Sequence, residues 1–169
     1  MKTLIAYFSR IGENVEDNEV TVLTKGNTEI VAEKIKDLTG GDLYKIEEVD
    51  TYPYSYRECS LRARKEYESN EHPELKDKVG LDMSVYDTIY IGFPIWYRSY
   101  PRVVSTFLEK YDFTGKKVKP FCTNDEGFFG ISLLELQSAL PTANIANSIA
   151  IRGCMVKSSD ERIKKFVEE

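Results

Sequence analysis

Hydrophobic and polar positions follow two periods along this chain. Five short runs read as strands: Lys2 to Phe8, Asp42 to Glu47, Tyr86 to Phe93, Lys117 to Thr123 and Asn144 to Ile151. The first is nearly continuous in apolar residues, as expected of a strand covered on both faces. Between the first two runs, Ile30, Val31, Lys34, Ile35 and Leu38 keep the 3–4 spacing of a helix. Asn27 or Thr28 is expected to cap that helix and Gly40-Gly41 to stop it. Further helices are predicted from Arg57 to Ser69, from Pro101 to about Tyr111, from Ile131 to Leu140, and from a cap at Ser158-Ser159 to Val167. Strands alternating with helices predict an α/β fold with a parallel sheet. In such open sheets ligands bind beyond the C-terminal strand ends, at the switch point between the first and third strands. Loops 9–28, 94–99 and 123–130 are therefore expected to converge on one crevice.

Two stretches break the rhythm. Residues 11–25 carry Glu13, Asn14, Glu16, Asp17, Asn18 and Glu19 and then Val20 to Thr24, an excursion from the first strand with a small extra strand. Residues 50–80 have no strand signal and place Tyr52, Tyr54 and Tyr56 before a charged helix. A connection of that length builds a pocket, covers one, or offers a partner surface.

At 169 residues the chain is expected to form one domain over 1–169, with an ordinary soluble composition of 41% hydrophobic and 30% charged residues. A net charge of −5 opposes nucleic acid and anionic membranes as partners. No apolar run approaches the ~20 residues of a membrane span. Cys59, Cys122 and Cys154 form no CxxC or metal-ligand spacing and read as reduced thiols of a cytoplasmic protein. His72 is the single histidine, so no histidine-based triad or metal cluster can be assembled, and no catalytic side chain is assigned.

The chemistry lies in the loops. Ser9 ends the first strand, and Gly26-Asn27-Thr28 opens the first helix, where unsatisfied N–H groups and the helix dipole make an anion pocket. A P-loop would need its lysine after the glycine, and Lys25 precedes Gly26. A dinucleotide fingerprint would need G-x-G-x-x-G directly after the first strand. A phospho-receiver would need acidic residues where Ser9-Arg10 stands and an aspartate where Pro94 ends the third strand. After Pro94, Trp96 and Tyr97 offer a wall for a planar ligand. Thr123, Asn124, Gly127 and Gly130 let backbone N–H groups approach a ring edge. Phosphate pocket, aromatic wall and donor-rich loop together describe a flavin mononucleotide (FMN) site.

On Tyr7-Phe8-Ser9, Gly26-Asn27-Thr28-Glu29-Ile30-Val31-Ala32, Ile91-Gly92-Phe93-Pro94-Ile95-Trp96-Tyr97 and Phe121-Cys122-Thr123, the chain resembles the flavodoxin family over nearly its whole length. It looks most like the branch whose phosphate loop is split in two. The resemblance implies a doubly wound five-stranded parallel sheet, order 2-1-3-4-5, with helices on both faces. It implies that Ser9, Arg10, Gly26, Asn27 and Thr28 hold the phosphate, and that Pro94, Ile95, Trp96 and Tyr97 line the isoalloxazine. Thr123, Asn124, Gly127 and Gly130 would meet its other edge, with Glu126 beside them. Thr28 has an alternative role as a helix cap, and Arg10 as a partner of the acidic insert. Asp125 and Glu126 depart from the small residues common in this branch. One unit charge ~8 Å from the ring would contribute about 2 kcal/mol against the reduced anion at an effective dielectric of ~20.

Three functions follow. The first is electron transfer through bound FMN, between a redox partner protein or small-molecule donor and acceptor, as a monomer or homodimer. The second is an NAD(P)H-dependent quinone or small-molecule reductase using the same cofactor, which leaves open whether the chain is itself an oxidoreductase. The third is a non-redox binding module on the same fold.

Overall fold

The computed structural model describes residues 2–76 and 80–169. Met1 and residues 77–79, the latter within the 50–80 connection, lie outside the described residues. In chain order, β1 (Thr3–Tyr7) is followed by β2 (Gly12–Glu16), β3 (Glu19–Leu23), α1 (Asn27–Thr39), β4 (Asp42–Lys45) and α2 (Tyr56–Ser69). Then come β5 (Thr88–Pro94), α3 (Arg102–Lys110), β6 (Lys117–Asn124), α4 (Ser132–Ala139), β7 (Asn144–Ile145), β8 (Ile149–Arg152) and α5 (Asp160–Glu168). The main sheet is parallel and runs β4-β1-β5-β6, with both β7 and β8 paired to β6. This is the doubly wound 2-1-3-4-5 order, with the fifth strand in two pieces. Ala146 still donates to the Val118 carbonyl at 2.8 Å, and the chain then departs at Asn147. The Asn147 side-chain amide donates to the Phe166 carbonyl at 3.1 Å.

Alternation along the strands explains their unbroken hydrophobicity. Leu4, Ala6 and Phe8 face one layer with Ile89, Ile91, Phe93 and the α3 and α4 residues Val103, Val104, Phe107 and Leu136. Ile5 and Tyr7 face the other, with Tyr90, Phe121, Ile151 and the α1 and α5 residues Val31, Ala32, Ile35, Ile163 and Phe166. One buried cation interrupts the second layer. Lys119 Nζ donates to the carbonyls of Phe166 at 2.6 Å and Val167 at 3.3 Å, over the rings of Tyr90 and Phe166. Burial lowers its pKa, while the C-terminal carbonyls of α5 favour its charge.

Three local expectations are corrected. Residues 11–25 form a two-stranded antiparallel hairpin, β2 with β3, rather than a single extra strand. Its two turn residues, Asp17 and Asn18, take φ of 52° and 64°, the left-handed pair that a tight hairpin requires. Helix α1 begins one residue early, with Gly26 at the N-cap and no cap from Asn27 or Thr28. Ser159 holds the N-cap position of α5, yet its hydroxyl donates back to the Met155 carbonyl at 2.7 Å. Among the described residues no helix is long and apolar enough to cross a membrane.

Candidate functional site

The ends of β1, β5 and β6 meet the start of α1 at the switch point between β1 and β5. The Ser9 hydroxyl accepts the Glu29 N–H at 3.1 Å and so caps α1 from outside the helix. The backbone N–H groups of Asn27 and Thr28 have no partner among the described residues, leaving two donors at the positive end of the helix dipole. Gly26 makes this approach possible: a Cβ there would overlap Ser9 Oγ and lie 2.8 Å from the Arg10 carbonyl. The Thr28 and Thr123 hydroxyls share a hydrogen bond of 2.8 Å, tying the helix start to the end of β6.

A cavity of about 430 Å³ opens over these donors, within the range of small-molecule sites. Of the residues expected from sequence, Ser9, Arg10, Asn27, Thr28, Pro94, Ile95, Trp96, Tyr97, Thr123, Asn124 and Glu126 line it. Gly26 stands behind Ser9. Gly127 and Gly130 are not among the lining residues; they adopt φ of 76° and 55° in the loop after β6. Tyr56, in the 50–80 connection for which a pocket-building role was one expectation, also lines the cavity, and Cys59, Ser60 and Ala63 of α2 join it without having been singled out, as do Val15 and Asn18 of the hairpin and Gly153. The spacing of Tyr56, Ser60 and Ala63 puts them on one helix face, the signal by which sequence reading would have found that wall.

The side chains show where each group is committed. Arg10 donates to the carbonyls of Pro53, Tyr54 and Glu13, so its guanidinium binds the base of the hairpin to residues 53–54. Trp96 is half-buried and meets Phe8 and Tyr52 edge-on, at centroid distances of 5.2 and 4.9 Å. Tyr97 is exposed and packs against Tyr67 at 5.2 Å. The Asp125 carboxylate accepts the N–H groups of Asp17 at 2.5 Å and Asn18 at 3.1 Å, so it is spent on the hairpin turn. Burial raises the pKa of the Cys59 thiol to about 11, which keeps it protonated at neutral pH. Among the described residues no group of His, Cys, Asp and Glu could hold a metal ion.

The loop that carries Trp96 is strained. Trp96 and Ser99 bond across a two-residue turn, Trp96 N–H to Ser99 carbonyl at 2.7 Å, and Tyr97 and Arg98 take φ of 46° and 77°. The left-handed region costs a non-glycine residue on the order of 1–2 kcal/mol. Arg98→Gly is therefore expected to stabilise the protein by about 0.5–1 kcal/mol after the added freedom of the unfolded chain is subtracted. Arg98→Ala, which keeps the strain, should give no such gain. Thermal denaturation of both variants checks this, and equal midpoints would refute it.

A family model described as Flavodoxin matches residues 2–169. Among solved structures, the chain is similar to a Bacteroides uniformis protein described as a flavoprotein. The two share 31% identity over 99% of this chain and 98% of that one, with a TM-score of 0.79. It is also similar to a Lactobacillus acidophilus flavoprotein in complex with FMN, at 21% identity over 95% and 97% of the two chains with a TM-score of 0.66. Oxidised flavodoxin 2 from Bacillus cereus shares 19% identity over 99% and 96% of the two chains, with a TM-score of 0.57. The last two likenesses speak to the fold alone. No curated protein matches the chain.

Proposed function

The chain belongs to the flavodoxin family, and we propose that it is an electron-transfer protein whose redox group is FMN bound in the switch-point cavity. The observation that carries this reading is the start of α1, where the Asn27 and Thr28 N–H groups have no partner among the described residues and Gly26 leaves no room for a Cβ beside Ser9. A phosphate takes both donors together with the Ser9 and Thr28 hydroxyls. Arg10 supports this end from behind, through the base of the hairpin. Pro94, Ile95, Trp96 and Tyr97 form a wall for the isoalloxazine, and Thr123, Asn124 and Glu126 meet its polar edge. Gly127 and Gly130 shape the loop that carries that edge. Bound there, FMN supplies one- and two-electron transfer; the protein supplies binding, orientation and exclusion of water.

A second reading is NAD(P)H-dependent reduction of a quinone or similar small molecule. The small side chains Cys59, Ser60 and Ala63 on the α2 wall favour it, because they take up little of the cavity they line. Titration of the flavin-free protein with FMN tests the shared premise: uptake of one equivalent with a shifted visible spectrum is expected, and no uptake would overturn both readings. Stopped-flow mixing of the loaded protein with NADH or NADPH then separates them. A carrier is reduced slowly by either nucleotide, a reductase within its turnover time.

A further inference from the structure

The hairpin of β2 and β3 separates Ser9 from Gly26-Asn27-Thr28 in the chain, and its inner strand and turn form one side of the cavity through Asn14, Val15 and Asn18. It is fastened at both ends. At the base, Glu13 donates its N–H to the Tyr54 carbonyl at 3.0 Å, and its carboxylate accepts the Tyr56 N–H at 2.9 Å. At the tip, Arg152 Nη2 meets Asp17 Oδ1 at 2.6 Å, while Arg152 Nε donates to the Asp125 carbonyl at 2.9 Å. The Asp125 carboxylate receives the two turn N–H groups, and Glu16 Oε1 accepts from the Asn27 side-chain amide at 2.7 Å. Neither Asp17 nor Arg152 lines the cavity.

From this arrangement we infer that the hairpin is a clamp over the bound cofactor, and that Arg152 and Asp17 are positioning residues that latch it shut and set the rate at which the cofactor leaves. The inference rests on the FMN reading above. Its physical basis is the difference between the two fastenings. The base is held by the Glu13–Tyr54 backbone bond, by the Glu13 carboxylate and by the four hydrogen bonds of the Arg10 guanidinium, so it stays in place. The tip is held by side-chain contacts, the Arg152–Asp17 ion pair with side chains 47% and 64% exposed, the Asp125 carboxylate on the turn amides and Glu16 on the Asn27 amide, so it can open without unfolding the sheet. Opening at Asp17-Asn18 carries Asn14, Val15 and Asn18 away from the cavity and exposes the helix start. Closure returns them and excludes water from the phosphate end. An exposed pair is screened by salt, so the latch weakens as ionic strength rises.

The test uses the full chain loaded with FMN and reads the dissociation rate from recovery of free-flavin fluorescence after dilution. Arg152→Ala is expected to release FMN about two- to fivefold faster. Asp17→Asn, which keeps a residue suited to the left-handed turn, should act similarly. The double variant should be no faster than Arg152→Ala alone, because the Arg152–Asp17 contact that Asp17→Asn weakens is already gone there. Release from the native protein should quicken with salt, and release from Arg152→Ala should not. Hydrogen exchange of the flavin-free proteins gives a second readout: amides 12–23 should exchange faster in Arg152→Ala while those of the main sheet keep their protection. FMN uptake with unchanged release rates, or additive effects of the two substitutions, would overturn the latch. A native protein that takes up no FMN would overturn the flavin reading instead, leaving the hairpin amides to decide whether Arg152 holds the tip.

Discussion

Gly92→Ala is expected to lower stability by about 3 kcal/mol, a fall of roughly 6–12 °C in the thermal midpoint. Gly92 lies in β5 at the centre of the sheet, between Tyr7 of β1 and Phe121 of β6. A Cβ there would penetrate the Phe121 ring, 2.7 Å from Cε1 and closer still to two other ring atoms. That ring is fully buried with Ile5, Ile149 and Ile151 and has no free space to turn into. The backbone cannot shift cheaply either, because the Gly92 carbonyl accepts the Phe8 N–H at 2.9 Å next to the cavity. Phe121→Leu removes the clashing ring atoms, so the double variant should be more stable than the sum of two separate losses allows. Additive losses in chemical denaturation would show that the glycine is there for another reason.

That glycine illustrates how far this chain can be read without coordinates. The α/β class follows from periods of 2 and 3.6 in long segments, the strand order from the resemblance to the flavodoxin family, and the convergence of three loops from the fold class. Why Gly92 is a glycine does not, because the cause is a ring 29 residues later, brought alongside by strand register. The hairpin was hard to see for a related reason. β2, Gly-Glu-Asn-Val-Glu, has no apolar alternation, since it packs over a cavity rather than a core. For helix α2 the pattern leaves pocket wall, cover and partner surface open, because Arg57, Arg62 and Arg64 dominate it while the face toward the cavity is made of small residues that carry little hydrophobic signal. Asp125 was legible as an acid near the site, but its partner amides at Asp17 and Asn18 lie about a hundred residues away and belong to a turn the pattern did not specify.

Behind the aromatic wall sits the group whose removal should be felt most widely at the site. Glu66 on α2 is 3% exposed. Its Oε2 accepts the Tyr52 hydroxyl at 2.7 Å, and its Oε1 pairs with Arg62 Nε at 2.7 Å. Arg62 in turn lies 4.1 Å from the Tyr52 ring centre. Burial and the Glu66 carboxylate push the Tyr52 pKa well above its ordinary value, so the phenol remains a neutral donor. Glu66→Ala strands that buried hydroxyl and takes the carboxylate from a mostly buried guanidinium, and is expected to cost about 3 kcal/mol. Glu66→Gln keeps the shape and an acceptor for Tyr52 and should cost roughly half as much. Tyr52→Phe removes the stranded donor, so in the Glu66→Ala background it should recover part of the loss, whereas alone it costs about 1 kcal/mol. The effect reaches the cavity because Tyr52 supports Trp96 edge-on at 4.9 Å. Trp96 is the only tryptophan, so its fluorescence reports this site alone. In Glu66→Ala its emission should move to the red at denaturant concentrations where the native protein is fully folded. An unmoved emission maximum would mean that the wall is held by Phe8 and the sheet, and that the Tyr52–Glu66 pair stabilises α2 without shaping the cavity.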